Sequence, residues 1–214
     1  MKNLLSTIAI LSCVIVQTYG QITVGLRVGK SPNVTPGTSY LFVNRQDLFN
    51  ESLFNIEQVQ YSEQFGFMAR FDHGAFWFMS EFMYGRSTAQ YSLIHIREIS
   101  DGQSVKMNAR RSFFELPISA GVSLGMIEVF SGFSVAHDFG FKNELEQMEG
   151  YRTSTPALRA GWHSGIGVNF GHVLIDLRYQ QEFRNYGEGQ FIHGQELLLK
   201  NAPGRFLMTA GFRI

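Results

Sequence analysis

Cysteine is nearly missing: the 214-residue chain has one, Cys13. It lies in a leader. Met1-Lys2-Asn3 is a short basic start, Leu4 to Val16 is almost wholly apolar and uncharged, and Thr18-Tyr19-Gly20 offers small residues to a signal peptidase. A cut after Gly20 makes residues 1–20 a signal peptide and 21–214 the mature domain. The thiol then leaves with the leader, which excludes a disulfide framework, a Cys nucleophile and a Cys-based metal site. Ile10-Leu11-Ser12-Cys13 has a faint likeness to a lipoprotein cleavage box, but Leu11 fits it poorly and the apolar run continues through Val14-Ile15-Val16.

Long hydrophobic runs are also missing. After Gly20 no stretch reaches the roughly 18 consecutive apolar residues of a membrane-spanning helix. Excess charge of one sign is absent too: 18 Lys and Arg balance 18 Asp and Glu. With no basic tract, nucleic acid is not an expected partner. The six histidines show no His-x-His or His-Glu-x-x-His spacing, so no metal or other cofactor is expected. His137-Asp138, His95, His172 and His193 read as scattered polar residues.

What the chain has in quantity is phenylalanine, 20, and glycine, 22. These suit strands, aromatic girdles and tight bends. A period of two runs through the mature sequence. In Ile22-Thr23-Val24-Gly25-Leu26-Arg27-Val28-Gly29 the even positions are all aliphatic and the odd ones polar or bare. Successive strand residues point to opposite faces, so one face is greasy. The pattern recurs around Phe65 to Phe71, Phe76 to Tyr84, Phe114 to Val122, Ile127 to Val135, Leu158 to Val168, Val173 to Phe183 and Phe206 to Ile214. That makes eight strands, each near the roughly 9–11 residues a tilted membrane strand needs. Ser80, Ser131 and Ser164 fall on the apolar face, and Phe113, Phe130 and Leu174 on the polar one.

The connections alternate in length. Asp72-His73-Gly74, Ser123-Leu124-Gly125 and Phe170-Gly171-His172 are short turns. Ser31 to about Gln60, Arg86 to about Arg110, Phe139 to Pro156 and Asn185 to Pro203 are long, the second with room for strands to extend into it. Short periplasmic turns and long extracellular loops are the asymmetry of outer-membrane barrels.

Charge separates the faces. Every charged residue in the strand cores lies on the polar face: the acids Glu81, Glu115, Glu128, Asp176 and Glu182, and the bases Arg27, Arg70, Arg159, Arg178 and Arg213. Five acids balance five bases. A solvated face needs no such balance, whereas a partly dehydrated lumen does, and eight strands leave room for little but side chains. Arg on the other face would cost roughly 2–4 kcal/mol at a bilayer midplane. A soluble lipocalin-like barrel puts apolar residues inside, and would show Lys and Glu freely outside. Here the polar face is glycine-rich and carries Lys only at its margins. The expected fold is therefore all-β: an eight-stranded antiparallel up-and-down transmembrane β-barrel whose lumen is plugged by these ten charges.

The eight-strand pattern, with Phe113-Phe114-Glu115-Leu116-Pro117-Ile118 and Gln21 just after the cut, resembles the outer-membrane barrel families that include PorT-like proteins. Their members often carry a Glu-aliphatic-Pro-aliphatic stretch in a middle strand. Thr209-Ala210-Gly211-Phe212-Arg213-Ile214 is similar to the terminal strand read by barrel-assembly machinery, but ends in Ile214 where Phe is commoner. The resemblance implies outer-membrane location and fold more than activity. Pro117 cannot donate to a ladder, so a β-bulge there, or a pairing gap near the periplasmic rim, is expected.

Three further features give weaker signals. His163-Ser164 suggests a lipid-modifying hydrolase or transferase, but adjacent strand residues face opposite ways, giving a lumen histidine and a lipid-face serine. Glu144, Glu146 and Glu149, near Lys142 and Arg152, form an acidic loop suited to divalent cations or lipopolysaccharide, or simply solvated. Leu48-Phe49-Asn50-Glu51-Ser52-Leu53-Phe54 reads as a short amphipathic helix or an exposed aromatic loop. The expected function is non-enzymatic: a structural, binding or scaffold barrel of the cell envelope, export-associated in a PorT-like version. Expected partners are outer-membrane lipid and lipopolysaccharide, the assembly machinery, and an envelope protein met through the loops. The alternatives are a lipid A acyl hydrolase or transferase, and a soluble periplasmic ligand-binding barrel.

Overall fold

Alternating β-branched and aromatic residues give strands almost throughout the computed structural model. It describes residues 20–31, 39–43, 51–95, 104–147, 151–153, 158–183, 190–192, 195–196 and 204–214. The strands are β1 (Gln21–Lys30), β2 (Ser39–Val43), β3 (Glu51–His73), β4 (Phe76–His95), β5 (Ser104–Leu124), β6 (Ile127–Asn143), β7 (Tyr151–Thr153), β8 (Leu158–Phe170), β9 (Val173–Glu182), β10 (Gln190–Ile192), β11 (Gln195–Glu196) and β12 (Arg205–Arg213). Residues 1–19, where the leader and Cys13 are expected, and the residues Glu149 and His193 lie outside the described residues. Among the described residues no helix is long and apolar enough to cross a membrane, which says nothing of crossing by strands.

Eight strands close a ring. In the order β1, β3, β4, β5, β6, β8, β9, β12, each pairs antiparallel with the next, and β12 returns to β1 with Leu26 opposite Phe212. β2 adds to the far half of β3, and β7, β10 and β11 form a separate small sheet. At one end of the ring, three turns sit at Gly74, Gly125 and Gly171, whose φ values are 61°, 69° and 72°. Positive φ favours glycine, and it starts the two-residue turns that match strand twist. These turns are tighter than the three-residue connections read from the sequence.

The other end differs from the sequence reading. Where they are described, the first two long connections are largely ladder: β3, β4 and β5 have 23, 20 and 21 residues. Alternation fades above the greasy band, as in Ser87-Thr88-Ala89-Gln90, because both faces there are polar, yet the backbone pairing continues. The segment from Leu48 to Phe54 is neither helix nor loop where it is described. Glu51 to Phe54 belong to β3 and pair with β2.

Pro117 also departs in position. The bulge lies between Ser112 and Phe113, and Pro117 keeps regular register opposite Ser134. A gap does open on its other side. The β4–β5 ladder passes from Ser80↔Ile118 to Met83↔Glu115 without a change of register. The missing proline donor is thus accommodated in mid-strand, well away from the turn end.

One face of the ring is buried and the other is not. Among the described residues, thirty large apolar side chains are exposed, including Leu26, Phe67, Phe78, Ile118, Phe133, Ile175 and Phe212. Water-soluble monomers rarely expose contiguous apolar patches beyond a few hundred Å². The buried face carries Arg27, Arg70, Glu81, Glu115, His163 and Arg178 beside Trp77, Phe113 and Phe130.

Candidate functional site

Strand parity sends the charged residues into the ring, where they sort into three levels. The middle level is a closed quartet. Arg178, on β9, donates through both terminal nitrogens to Glu81 at 2.8 and 3.1 Å, and through Nε to Asp176 at 3.2 Å. Arg27, on β1, places Nε 2.6 Å from the same Glu81 and also pairs with Asp176. Each arginine therefore touches both acids. A third polar partner of Arg27 is Thr209, and the Met79 sulfur lies 3.2 Å from its Nη1. Arg27 Nε makes no hydrogen bond, so its contact with Glu81 is ionic only. Both guanidiniums nonetheless keep opposite charges in contact, as dehydrated charges require when an unpaired one costs several kcal/mol.

Toward the turn end, Arg70 grips Glu128 with two bonds of 2.8 Å and reaches Asp72 at 2.7 Å. Glu128 also accepts from Asn169 at 2.9 Å and from Ser123 at 3.3 Å. The Arg70 guanidinium stacks 4.4 Å above the buried Trp77 ring. Arg213 lies 3.3 Å from Asp72 and donates to Asn169 at 3.2 Å.

Toward the loop end there are two groups. Glu115 accepts from Arg205 at 2.8 Å, from Gln64 at 3.3 Å and from Gln180. Arg159 holds Asp138 with two bonds of 2.9 Å and pairs with Glu182. Arg111 approaches Asp138 at 3.8 Å and Glu182 at 3.6 Å. The Phe113 ring fills the space between, with Arg159 at 5.3 Å and Arg205 at 5.8 Å from its centroid.

All ten charged residues named from sequence thus lie in these clusters. Four more join them: Asp72, Arg111, Asp138 and Arg205. The interior then holds seven acids and seven arginines, counted among the described residues: Asp72, Glu81, Glu115, Glu128, Asp138, Asp176 and Glu182 against Arg27, Arg70, Arg111, Arg159, Arg178, Arg205 and Arg213. The signal for the four was available. Each has the parity of its strand's inner face, one or two steps beyond where the alternation was stopped.

A fifth residue not singled out is Ser119. Its hydroxyl lies 2.8 Å from His163 Nε2, with both residues 1 % exposed. His163 does not approach the Ser164 hydroxyl; Ser164 sits on the other face, opposite Ser131. Ser119 and His163 stand two strands apart and both oppose Gly132 on β6. A Cβ there would meet His163 Nε2 at 2.8 Å, so only glycine leaves the path open. The ring's Nδ1 is buried with no hydrogen-bond partner. The pair has the composition of a nucleophile and base, but both residues are buried among the described residues, and no carboxylate bonds Nδ1 to orient the imidazole.

The remaining sequence candidates are dispersed. His137 is exposed beside Asp138, and His172 sits in a turn with Nδ1 2.9 Å from the Arg213 carbonyl. Glu144 accepts from the Asn108 backbone at 2.7 Å, and Glu146 is exposed in the same short 3₁₀ turn. Among the described residues no three His, Cys, Asp or Glu side chains form a group able to hold a metal ion. No family model matches the chain, and no curated protein matches it.

Proposed function

We propose that this chain is an integral outer-membrane protein, an eight-stranded up-and-down β-barrel delivered by a cleaved leader at residues 1–20. In this reading the three glycine turns face the periplasm and the tall β3–β6 wall rises outside the cell. Its role is non-enzymatic: a structural, binding or scaffold element of the envelope, PorT-like and export-associated in its most specific version. A lumen filled by seven ion-paired acids and seven arginines leaves no path for large solutes.

The observation that carries the reading is inverted sidedness. Thirty exposed apolar side chains wrap a ring whose buried face is ionic. Water would favour the opposite arrangement, with charges outside and the apolar groups gathered within. A hydrocarbon solvent favours this one, because the strands pair around a closed ring and the ions of the strand cores face inward, away from lipid. The test is fractionation, followed by gel mobility of the protein with and without boiling. A heat-dependent shift in the outer-membrane fraction is expected. Recovery of the mature protein as a detergent-free soluble species overturns the reading.

One observation favours a second reading, a lipid-modifying enzyme: the 2.8 Å contact of Ser119 with His163. Lipid chemistry requires a nucleophile open to the bilayer, and this one faces the filled interior. Loss or gain of lipid A acyl chains on expression is the measurement that decides.

A further inference from the structure

Three cations stand on neighbouring strands of the outer face, just above its aromatic band. Arg110, on β5, is directly opposite Lys142 on β6 and Thr88 on β4. Arg86, on β4, is opposite Ser112 on β5, one step diagonal from Arg110. All three basic side chains are exposed. Directly opposed strand residues bring their Cβ atoms to about 5 Å, and like charges so placed repel. Among the described residues neither Arg110 nor Lys142 takes part in an ion pair. Glu144, two residues beyond Lys142, accepts from the Asn108 backbone at 2.7 Å.

Below the cations lies a cluster of rings. Phe114 is 4.6 Å from Phe139, 5.8 Å from Tyr84 and 5.2 Å from Phe82, centroid to centroid, and Phe65 is 5.2 Å from Tyr84. Arg86 donates to the Tyr84 hydroxyl at 2.8 Å and lies over its ring. Aromatic girdles mark the level where hydrocarbon gives way to head groups. The cations are on the head-group side of that level.

We propose that Arg86, Arg110 and Lys142, with the Ser112 and Thr88 hydroxyls between them, bind a phosphorylated lipid head group of the outer leaflet. Arginine matches phosphate in shape as well as charge. An anion among the three converts repulsion across the ladder into shared attraction, and the rings below receive the acyl chains of the same lipid. The site rests on the membrane-barrel reading and gives it a preferred lipid chemistry.

The test uses the full mature protein in detergent micelles, with native mass spectrometry as readout. The probes are diphosphoryl lipid A and the same lipid with both phosphates removed. Wild type is expected to retain the phosphorylated probe about tenfold better, or more. R110Q/K142Q is expected to lose that preference, while K30Q, which removes a cation outside the patch, keeps it. Equal retention of the two probes by wild type overturns the proposal, as does an unchanged preference in R110Q/K142Q. Full displacement by millimolar inorganic phosphate also overturns it, because the site then takes a free anion. Heat-dependent gel mobility is measured on each sample. A variant that still shifts is folded as a barrel, so its lost preference counts for the site, whereas a wild type that never shifts overturns the barrel reading instead.

Discussion

Ser119 and His163 meet at 2.8 Å across the bare backbone of Gly132, a single row spanning β5, β6 and β8. The contact is an interior cross-brace. It joins strands that do not pair with each other, and it does so where three residues of the row share one face. If it braces and does not catalyse, Ser119→Ala removes one buried hydrogen bond and costs about 1 kcal/mol. Lipid extracted from cells making wild type or S119A is expected to carry the same acyl chains. A change of acylation produced by wild type and abolished by S119A would establish the enzyme.

Gly132 itself is a sharper position. Gly132→Ala drives a methyl against His163 and the Ile118 backbone, a clash expected to cost roughly 1–3 kcal/mol. Gly140→Ala, whose new methyl meets nothing nearer than 3.5 Å, serves as the control. Denaturant unfolding in lipid vesicles is expected to separate the two. Equal stability of both variants would mean that the row is looser than its geometry.

Removing one member of the central quartet strands a buried charge. Arg178→Met leaves Glu81 and Asp176 with one arginine between them, and loss of a single partner from a buried pair costs roughly 3–5 kcal/mol. Adding Glu81→Gln is expected to restore part of that loss, because the acids no longer outnumber the bases. A double variant less stable than R178M would refute the quartet as a balanced unit.

The outer face gives the opposite sign. Phe67 is 64 % exposed at the level of the quartet, paired with Leu26 and Phe82. In a bilayer Phe67→Arg is expected to cost roughly 2–4 kcal/mol. On a water-exposed surface the same change stays within about 0.5 kcal/mol. Unfolding measured in vesicles therefore reads the solvent of this face directly.

Much of this architecture was legible in the chain because the strand period is local. Leu26 and Arg27 differ in parity by one residue, and that alone puts one outside the ring and the other within it. Gly74, Gly125 and Gly171 likewise marked their own turns, since each needs a backbone conformation that other residues resist. Hydrophobic alternation was a poorer guide beyond the greasy band. There Gln and Ser occupy both faces, so β3 to β6 continued as ladder where the pattern had faded, and Arg111, Asp138 and Arg205 were left out of the interior.

The amino-acid order by itself determined the sidedness: which residues are greasy, which are ionic, and that they alternate. Only the closed sheet decided which ions meet. Glu81 and Arg178 are 97 residues apart, and Arg27 and Thr209 are 182 apart. Such pairs depend on register accumulated around the whole ring, and one residue of slip in any ladder would exchange every partner. The brace from Ser119 to His163 was hidden for the same reason, because it depends on a glycine in a third strand that neither residue's own neighbourhood reveals.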